Sequence, residues 1–396
     1  MKILHLVPTL SAGGAETFVA QLAVEQKSLG HDVDVFLLAG VRGARGETLR
    51  AELGSAAVPC FGTAPRSARA PLNVARLLHR IMVGRYDVVH AHLFSIEVVL
   101  ASLIPVLTVF RARPLLVRTL HNSNIFGTRS HFLAKLLARS FDWNFACGRK
   151  VMDNYVKLFG KSRISAIDNG VKTSFNLLDK NVFKIRHQIG VPTDAFVVSC
   201  IGAFRGSSLE TSQKAQDVAL RSFHLAFGND LTAHLLFAGD GDLRDEAEAL
   251  ARKLGLTRNV HFLGNLADIH PLFKSTDLLF VPSRYEGLPM VGLEAGCAGV
   301  PVLASAIDEL LDVGAPHGWV FSSDNSVEDF ARKLAALRED RMVVRRRARE
   351  MSGLFRERYG INGCAQQYLK KIQELLKQPH RPLGQAIKHN KRSTDA

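Results

Sequence analysis

Residues 277–305 read D-L-L-F-V-P-S-R-Y-E-G-L-P-M-V-G-L-E-A-G-C-A-G-V-P-V-L-A-S. An apolar strand, Asp277 to Val281, breaks at Pro282-Ser283; a loop passes Gly287 and Pro289, and a periodic stretch runs until Gly296 and Gly299 stop it. A second apolar run follows, so the unit is strand, loop, helix, strand. With a helix start between Leu288 and Met290, Glu286 lies in the loop at the carboxyl end of a strand and Glu294 lies about one turn inside the helix. In open α/β sheets that edge is where ligands bind, and a helix amino terminus presents free N–H groups to phosphate. Two carboxylates there suit sugar and ribose hydroxyls. Their spacing alone reads equally well as a solvated helix face, with one carboxylate serving the first-turn dipole.

Working outward, a chain of 396 residues exceeds one ordinary domain and suits two. A hydrophobic content of 47% with ample glycine describes a soluble α/β protein with a substantial core. The net charge of +14 points to anionic partners: nucleotide, phospholipid headgroup or nucleic acid. No helix-turn-helix, zinc or RNA-recognition signature supports nucleic acid, so a phosphate ligand together with an anionic membrane surface accounts better for the charge. Cys60, Cys147, Cys200, Cys297 and Cys364 stand singly, without C-x-x-C or a His-Cys cluster, which argues against a disulfide framework or zinc and for a reducing, cytoplasmic compartment. The amino-terminal apolar run lacks the long h-region of a signal peptide and reads as a buried first strand. The most apolar window, Leu93 to Phe110, contains Glu97 and Pro105 and reads as a core helix rather than a membrane span.

Ile3 to Val7 is a strand, Pro8 to Gly14 a loop and Ala15 to Leu29 an amphipathic helix, followed by the strand Val33 to Leu38. The chain thus opens as a β-α-β unit whose Gly13-Gly14 pair lets backbone approach a ligand. Asp87 to His90 and Leu115 to Leu120 are strands ending at His90-Ala91-His92 and at His121-Asn122. Of these histidines, His121 is the stronger site candidate and His92 the weaker. Ser123 to Arg139, with Arg111, Arg113 and Arg118 nearby, reads either as a basic amphipathic surface facing anionic lipid or as an ordinary solvated face. The polar stretch Ser174 to Gln188 suggests a hinge, and Phe196 to Gly202 opens the second half. Arg205 and Lys214 straddle the next strand-to-helix loop, where two cations can neutralise a diphosphate. Arg341 to Arg349 reads as a basic surface patch, Ala365 to Leu376 as a final amphipathic helix, and the tail from Gln378 as disordered.

The segment Ser283 to Ser305 resembles the E-x(7)-E signature and following E-A-x-A-x-G-x-P-V-x-A-S block of retaining glycosyltransferases of family 4, with Cys297 at the usual small-residue position. G-G-A-E at Gly13–Glu16, N-G-V at Asn169–Val171, A-G-D-G at Ala238–Gly241 and F-L-G at Phe262–Gly264 are similar to loops of the same family. Around Lys214 the chain departs from the family's G-R-x-x-x-x-K-G: Ala203 fills the arginine position, Arg205 comes two later, and Ala215 replaces glycine. After Ser305 the expected glycines are missing, with Glu309 as a remnant of the acidic position.

The resemblance implies an α/β chain of the GT-B class, two Rossmann-like β/α/β domains facing a central cleft, with a C-terminal helix crossing back to the first. Residues 1–185 are then an acceptor-side domain, 186–360 the nucleotide-sugar donor domain, 361–377 the crossover helix and 378–396 a basic tail. It further implies retaining transfer of a sugar from a nucleotide-diphosphate sugar, UDP- or GDP-linked, without a metal or other cofactor. The acceptor is a saccharide or lipid-linked saccharide of bacterial surface polysaccharide or glycolipid synthesis, at the inner face of the cell membrane. Glu286, His121, Lys214 and Arg205 are the implied catalytic group. Gly13, Gly14, Asn169, Gly239, Gly264, Asn265, Gly287, Leu288 and Glu294, with Glu286, are the implied donor site; Glu286 orients the sugar and Glu294 the ribose. Rival readings are a sugar-nucleotide epimerase or phosphorylase of the same fold, and a non-enzymatic basic protein that binds membrane or nucleic acid.

Overall fold

The structure is a computed structural model that describes residues 1–62, 70–109, 113–122, 131–161, 163–173, 184–228 and 230–378. Among these residues the short apolar runs pair into two parallel sheets. The first holds β1 (Lys2–Val7), β2 (Asp32–Leu37), β3 (Cys60–Phe61), β4 (Val88–His92), β5 (Leu115–Leu120), β6 (Trp143–Ala146) and β7 (Ile164–Ala166), in the order β3-β2-β1-β4-β5-β6-β7. The second holds β8 (Phe196–Ile201), β9 (Ala233–Ala238), β10 (Val260–Phe262), β11 (Leu278–Val281), β12 (Val302–Ala304) and β13 (Val320–Phe321), in the order β10-β9-β8-β11-β12-β13. Their strands are nearly continuous apolar runs because helices cover both faces of each sheet. The order reverses beside β1 and β4 in one sheet and beside β8 and β11 in the other, which opens a crevice at the carboxyl ends of those strands.

One face of the first sheet packs against the helix Gly14–Ser28 through Phe18, Leu22 and Ala23; the other packs against Phe94–Val109 through Ile96, Leu100 and Leu107. The helix Ile361–Leu376 leaves the second domain and buries Cys364, Tyr368 and Ile372 in the first domain's core. The second sheet is closed by its own aromatic core, including Phe223, Phe237, Phe280 and Phe330.

Several sequence expectations change. Gly296 does not stop its helix: Met290–Ala298 runs through it, and a Cβ there would come within 2.7 Å of the Phe355 ring, so glycine serves close packing. The helix ends at Gly299, in the left-handed region at φ +69. β4 does end at His92, but His90 and His92 are both fully buried within the sheet rather than presented to the crevice as strand-end polar residues. Arg118 belongs to no basic surface; its guanidinium is fully buried and donates to Glu97 at 2.7 Å and to Asn144 at 2.6 Å. That pair also explains a glutamate in the most apolar helix; no described helix is long and apolar enough to cross a membrane. Of the arginine run at 341–349, Arg341 and Arg345 turn inward onto Asp277. The end of the polar hinge stretch is a short helix, Lys184–Gln188, whose Arg186 is buried against the same aspartate. The hinge residues 174–183, the loop 123–130 with Arg111, and the tail 379–396 lie outside the described residues.

Replacing Glu97 by alanine leaves the Arg118 charge buried without its carboxylate. Glu97→Ala should lower unfolding free energy by about 3–5 kcal/mol in urea titrations. A loss under about 1 kcal/mol would contradict the pairing described here.

Candidate active site between the two sheets

The loops that leave the carboxyl ends of both sheets meet around one cleft of about 490 Å³. From the first domain it is lined by Gly13 and Gly14 after β1, His121 after β5, and Asn169 after β7. From the second come Arg205 and Lys214 after β8, Gly239 after β9, Asn265 after β10, and Glu286, Gly287, Leu288 and Glu294 after β11. Among the site residues expected from sequence, only Gly264 does not line the cleft. Its carbonyl accepts from the Gly239 amide at 2.8 Å and so braces the neighbouring loop. Glu309, the remnant acid of the missing glycine block, does not reach the cavity.

The carboxylate of Glu286 is buried and takes Lys214 Nζ at 2.6 Å on one oxygen and Gln213 Nε2 at 3.3 Å on the other. Lys214 sits where it does because Arg284 clamps its loop: the Arg284 guanidinium donates to both oxygens of Asp217, at 3.1 and 2.8 Å, and to the Ser212 carbonyl at 2.9 Å. Ala215, next to Lys214, stands in the left-handed region at φ +49, which explains the glycine the family pattern places there. Gly287 packs so tightly under the first domain that a Cβ would overlap the His121 carbonyl oxygen.

Glu294 is buried in the first half of its helix, and no ion pair or hydrogen bond holds its carboxyl among the described residues. Burial pushes its pKa up to about 7. His121 is held down to about 4 by burial, so it is neutral under ordinary conditions. Asn169 leaves its Oδ1 buried and without a partner among the described residues, while its amide nitrogen reaches Met290 Sδ at 3.6 Å. Arg205 is exposed at the rim.

Sequence reasoning missed Arg45 and Gln213. Arg45 comes from the helix Gly43–Ser55 of the first domain, crosses to the Ala267 carbonyl at 2.9 Å and lines the cleft near Glu294. Nothing in its glycine-rich local sequence marks it; Gln213 has only its place beside Lys214 as a signal.

Two family profiles match consecutive stretches that together span most of the chain: Glycosyltransferase Family 4 over residues 12–175 and Glycosyl transferases group 1 over residues 183–352. The chain belongs to the group 1, family 4 glycosyltransferases. Among relatives, this family member is 27% identical over 247 residues to an uncharacterized glycosyltransferase of Methanocaldococcus jannaschii, a match covering 58% of this chain and 60% of that one. It is 44% identical over 73 residues to the lipopolysaccharide glucosyltransferase WaaG of Escherichia coli, covering 18% of this chain and 20% of WaaG. The matched segments therefore span less than two thirds of these relatives. Among solved structures, Anabaena HepE in complex with UDP-glucose superposes with a TM-score of 0.79 at 22% identity, covering 94% of this chain and 100% of that one. The fold is GT-B.

Glu294 gives a pH signature. Its folded pKa of about 7 lies above the ordinary 4.5, so its stabilising contribution is full below pH 4.5 and is lost as pH rises toward 7. Glu294→Gln should therefore gain stability over the parent protein between pH 5 and pH 8, by up to about 3 kcal/mol in chemical unfolding. A stability difference flat across that range would refute the buried, unpaired carboxyl.

Proposed function

We propose that this family member transfers a sugar, with retention of anomeric configuration and without a metal, from a nucleotide-diphosphate sugar to a saccharide acceptor. The observation that carries this reading is the Lys214–Glu286 ion pair at 2.6 Å, with the carboxylate buried and the ammonium partly exposed, set at the carboxyl edge of β8 and β11 and facing Gly13-Gly14 across the cleft. In the transfer, the bond from the anomeric carbon to the β-phosphate oxygen breaks and a bond to the acceptor oxygen forms on the same face. The acceptor proton passes to the departing phosphate, and the nucleoside diphosphate leaves. Negative charge then grows on the diphosphate, to be met by Lys214 and Arg205, the described cations that the second domain brings to the cleft. A neutral His121 and the carboxylates of Glu286 and Glu294 serve hydroxyl groups instead.

The ion pair links the two halves of the donor. When Lys214 turns to the diphosphate, the buried Glu286 carboxylate exchanges its 2.6 Å ion pair for other donors and keeps Gln213 Nε2 at 3.3 Å. Sugar hydroxyls take the place of the ammonium on that oxygen. UDP is favoured as the carrier because HepE, which shares the fold, is a complex with UDP-glucose. A lipid-linked acceptor on the inner face of the cell membrane fits the net charge of +14 and the similarity to a lipopolysaccharide glucosyltransferase.

Thermal-shift measurements across UDP and GDP sugars test the donor: UDP-sugars should raise the melting temperature more than UDP alone or any GDP-sugar. Lys214→Ala and Glu286→Ala should each cut kcat at least about 100-fold in a folded protein, and excess EDTA should leave the parent rate unchanged. Near-parent activity in either variant, or loss of activity with EDTA, would sink this assignment. Binding to acidic but not neutral vesicles is expected; the reverse preference would remove the membrane part.

A further inference from the structure

Behind the cleft, histidines run across the middle of the first sheet. His5 lies on β1, His92 on the neighbouring β4, and His121 just past the end of β5. His5 and His92 are fully buried, as is Gln26 on the helix Gly14–Ser28. They form one file: Gln26 Oε1 to His5 Nε2 at 2.8 Å, His5 Nδ1 to His92 Nε2 at 3.1 Å, and His92 Nδ1 to His121 Nε2 at 3.1 Å. His90 stands beside it, its ring 4.0 Å from that of His92, and spends its Nε2 on Thr119 Oγ1 at 2.7 Å.

The direction of every bond in the file follows from its first member. The Gln26 amide turns its oxygen to the ring and leaves its Nε2 without a partner among the described residues; with that orientation the oxygen accepts, and His5 carries its proton on Nε2. Burial lowers the pKa of His5 and His121 to about 4 and that of His92 well below 6.5, so each ring is neutral and carries one proton. His5 Nδ1 is then bare and accepts from His92 Nε2–H; His92 Nδ1 is bare and accepts from His121 Nε2–H. His121 is left with a bare Nδ1, buried and without a partner among the described residues, on a residue that lines the cleft. A buried amide on the helix Gly14–Ser28 thus sets the tautomer of a ring at the cleft, three hydrogen bonds away.

We propose that Gln26, His5 and His92 are positioning residues that hold His121 as a hydrogen-bond acceptor, so that the cleft takes a sugar hydroxyl, a proton donor, at that point. The hydroxyl is named on the strength of the proposed sugar transfer; the tautomer order stands apart from it. Long-range proton–nitrogen NMR correlation on protein labelled with 15N-histidine reads the order directly, and should show His5, His92 and His121 all protonated on Nε2 at neutral pH. Gln26→Met, of similar size and without the amide, should give mixed tautomers at His121 and raise the Kd for UDP-glucose about three- to tenfold, the loss of one neutral hydrogen bond.

The proposal is overturned if His121 carries its proton on Nδ1 in the parent protein, or if its tautomer is unchanged in Gln26→Met. The ring nitrogens of His5, His90 and His92 come within 4.8 Å of one another, so a stoichiometric metal in the purified protein would overturn it too. The stated tautomers in a protein that binds no nucleotide sugar would support the histidine file and overturn the transfer reading instead.

Discussion

The carboxylate of Asp277 is wholly buried at the mouth of β11 and gathers three guanidinium groups: Arg186 at 2.9 Å, Arg341 at 3.1 Å and Arg345 at 2.7 Å. It also accepts the Val197 amide at 2.9 Å. A lone carboxylate there would carry a desolvation penalty of several kcal/mol, so its partners are obligatory once the residue is buried. They come from three parts of the chain: the short helix that enters the second domain, the start of the long helix Arg341–Tyr359, and β8. Asp277 therefore fixes one end of the strand whose other end delivers Glu286. The reach from anchor to site is four strand residues, Leu278–Val281, and a short loop, and Arg284 clamps that loop from the other side.

The same rule governs the first sheet. Its strands are covered on both faces, so a polar side chain within them has only protein to bond. Arg118 solves this with Glu97 and Asn144, and the histidines solve it with one another, Gln26 and Thr119. The helix Ile361–Leu376 completes the arrangement: its Tyr368 lies over the His90 and Phe145 rings and places its hydroxyl 3.3 Å from Thr119. A helix that belongs in sequence to the second domain thereby seals the polar interior of the first.

How far the sequence could be read follows from which contacts are local. Strand and helix runs, the glycine that ends Met290–Ala298, the loop positions of Glu286 and Lys214 and the helix position of Glu294 depend on near neighbours or on a contiguous motif, and all were legible. Arg118, Arg186, Arg341 and Arg345 read as surface or hinge charge because each is neutralised by an acid 21 to 91 residues away, which no periodicity displays. The strand end at His90-Ala91-His92 was legible, but not the burial of both rings, which depends on the neighbouring strands and covering helices. His5 carried no signal at all: only the strand order β1-β4-β5 brings it to His92.

The two walls of the cleft differ in charge for these same structural reasons. On the second domain's side, Lys214 and Arg205 are cations within reach of a ligand, and the pairing of Lys214 with Glu286 leaves its ammonium partly exposed and exchangeable. The first domain offers a glycine pair, the Asn169 amide, a histidine that burial keeps neutral, and the Glu16 carboxylate, held by the Ser11 hydroxyl at 3.0 Å. Among the described residues its one cation lining the cleft, Arg45, is directed to the Ala267 carbonyl on the opposite domain. An anionic group entering between the walls is therefore drawn to the second domain, and uncharged hydroxyls are left to the first. A ligand with a charged end and a neutral end meets a cleft that already distinguishes them, and the distinction originates in what each sheet was forced to bury behind it.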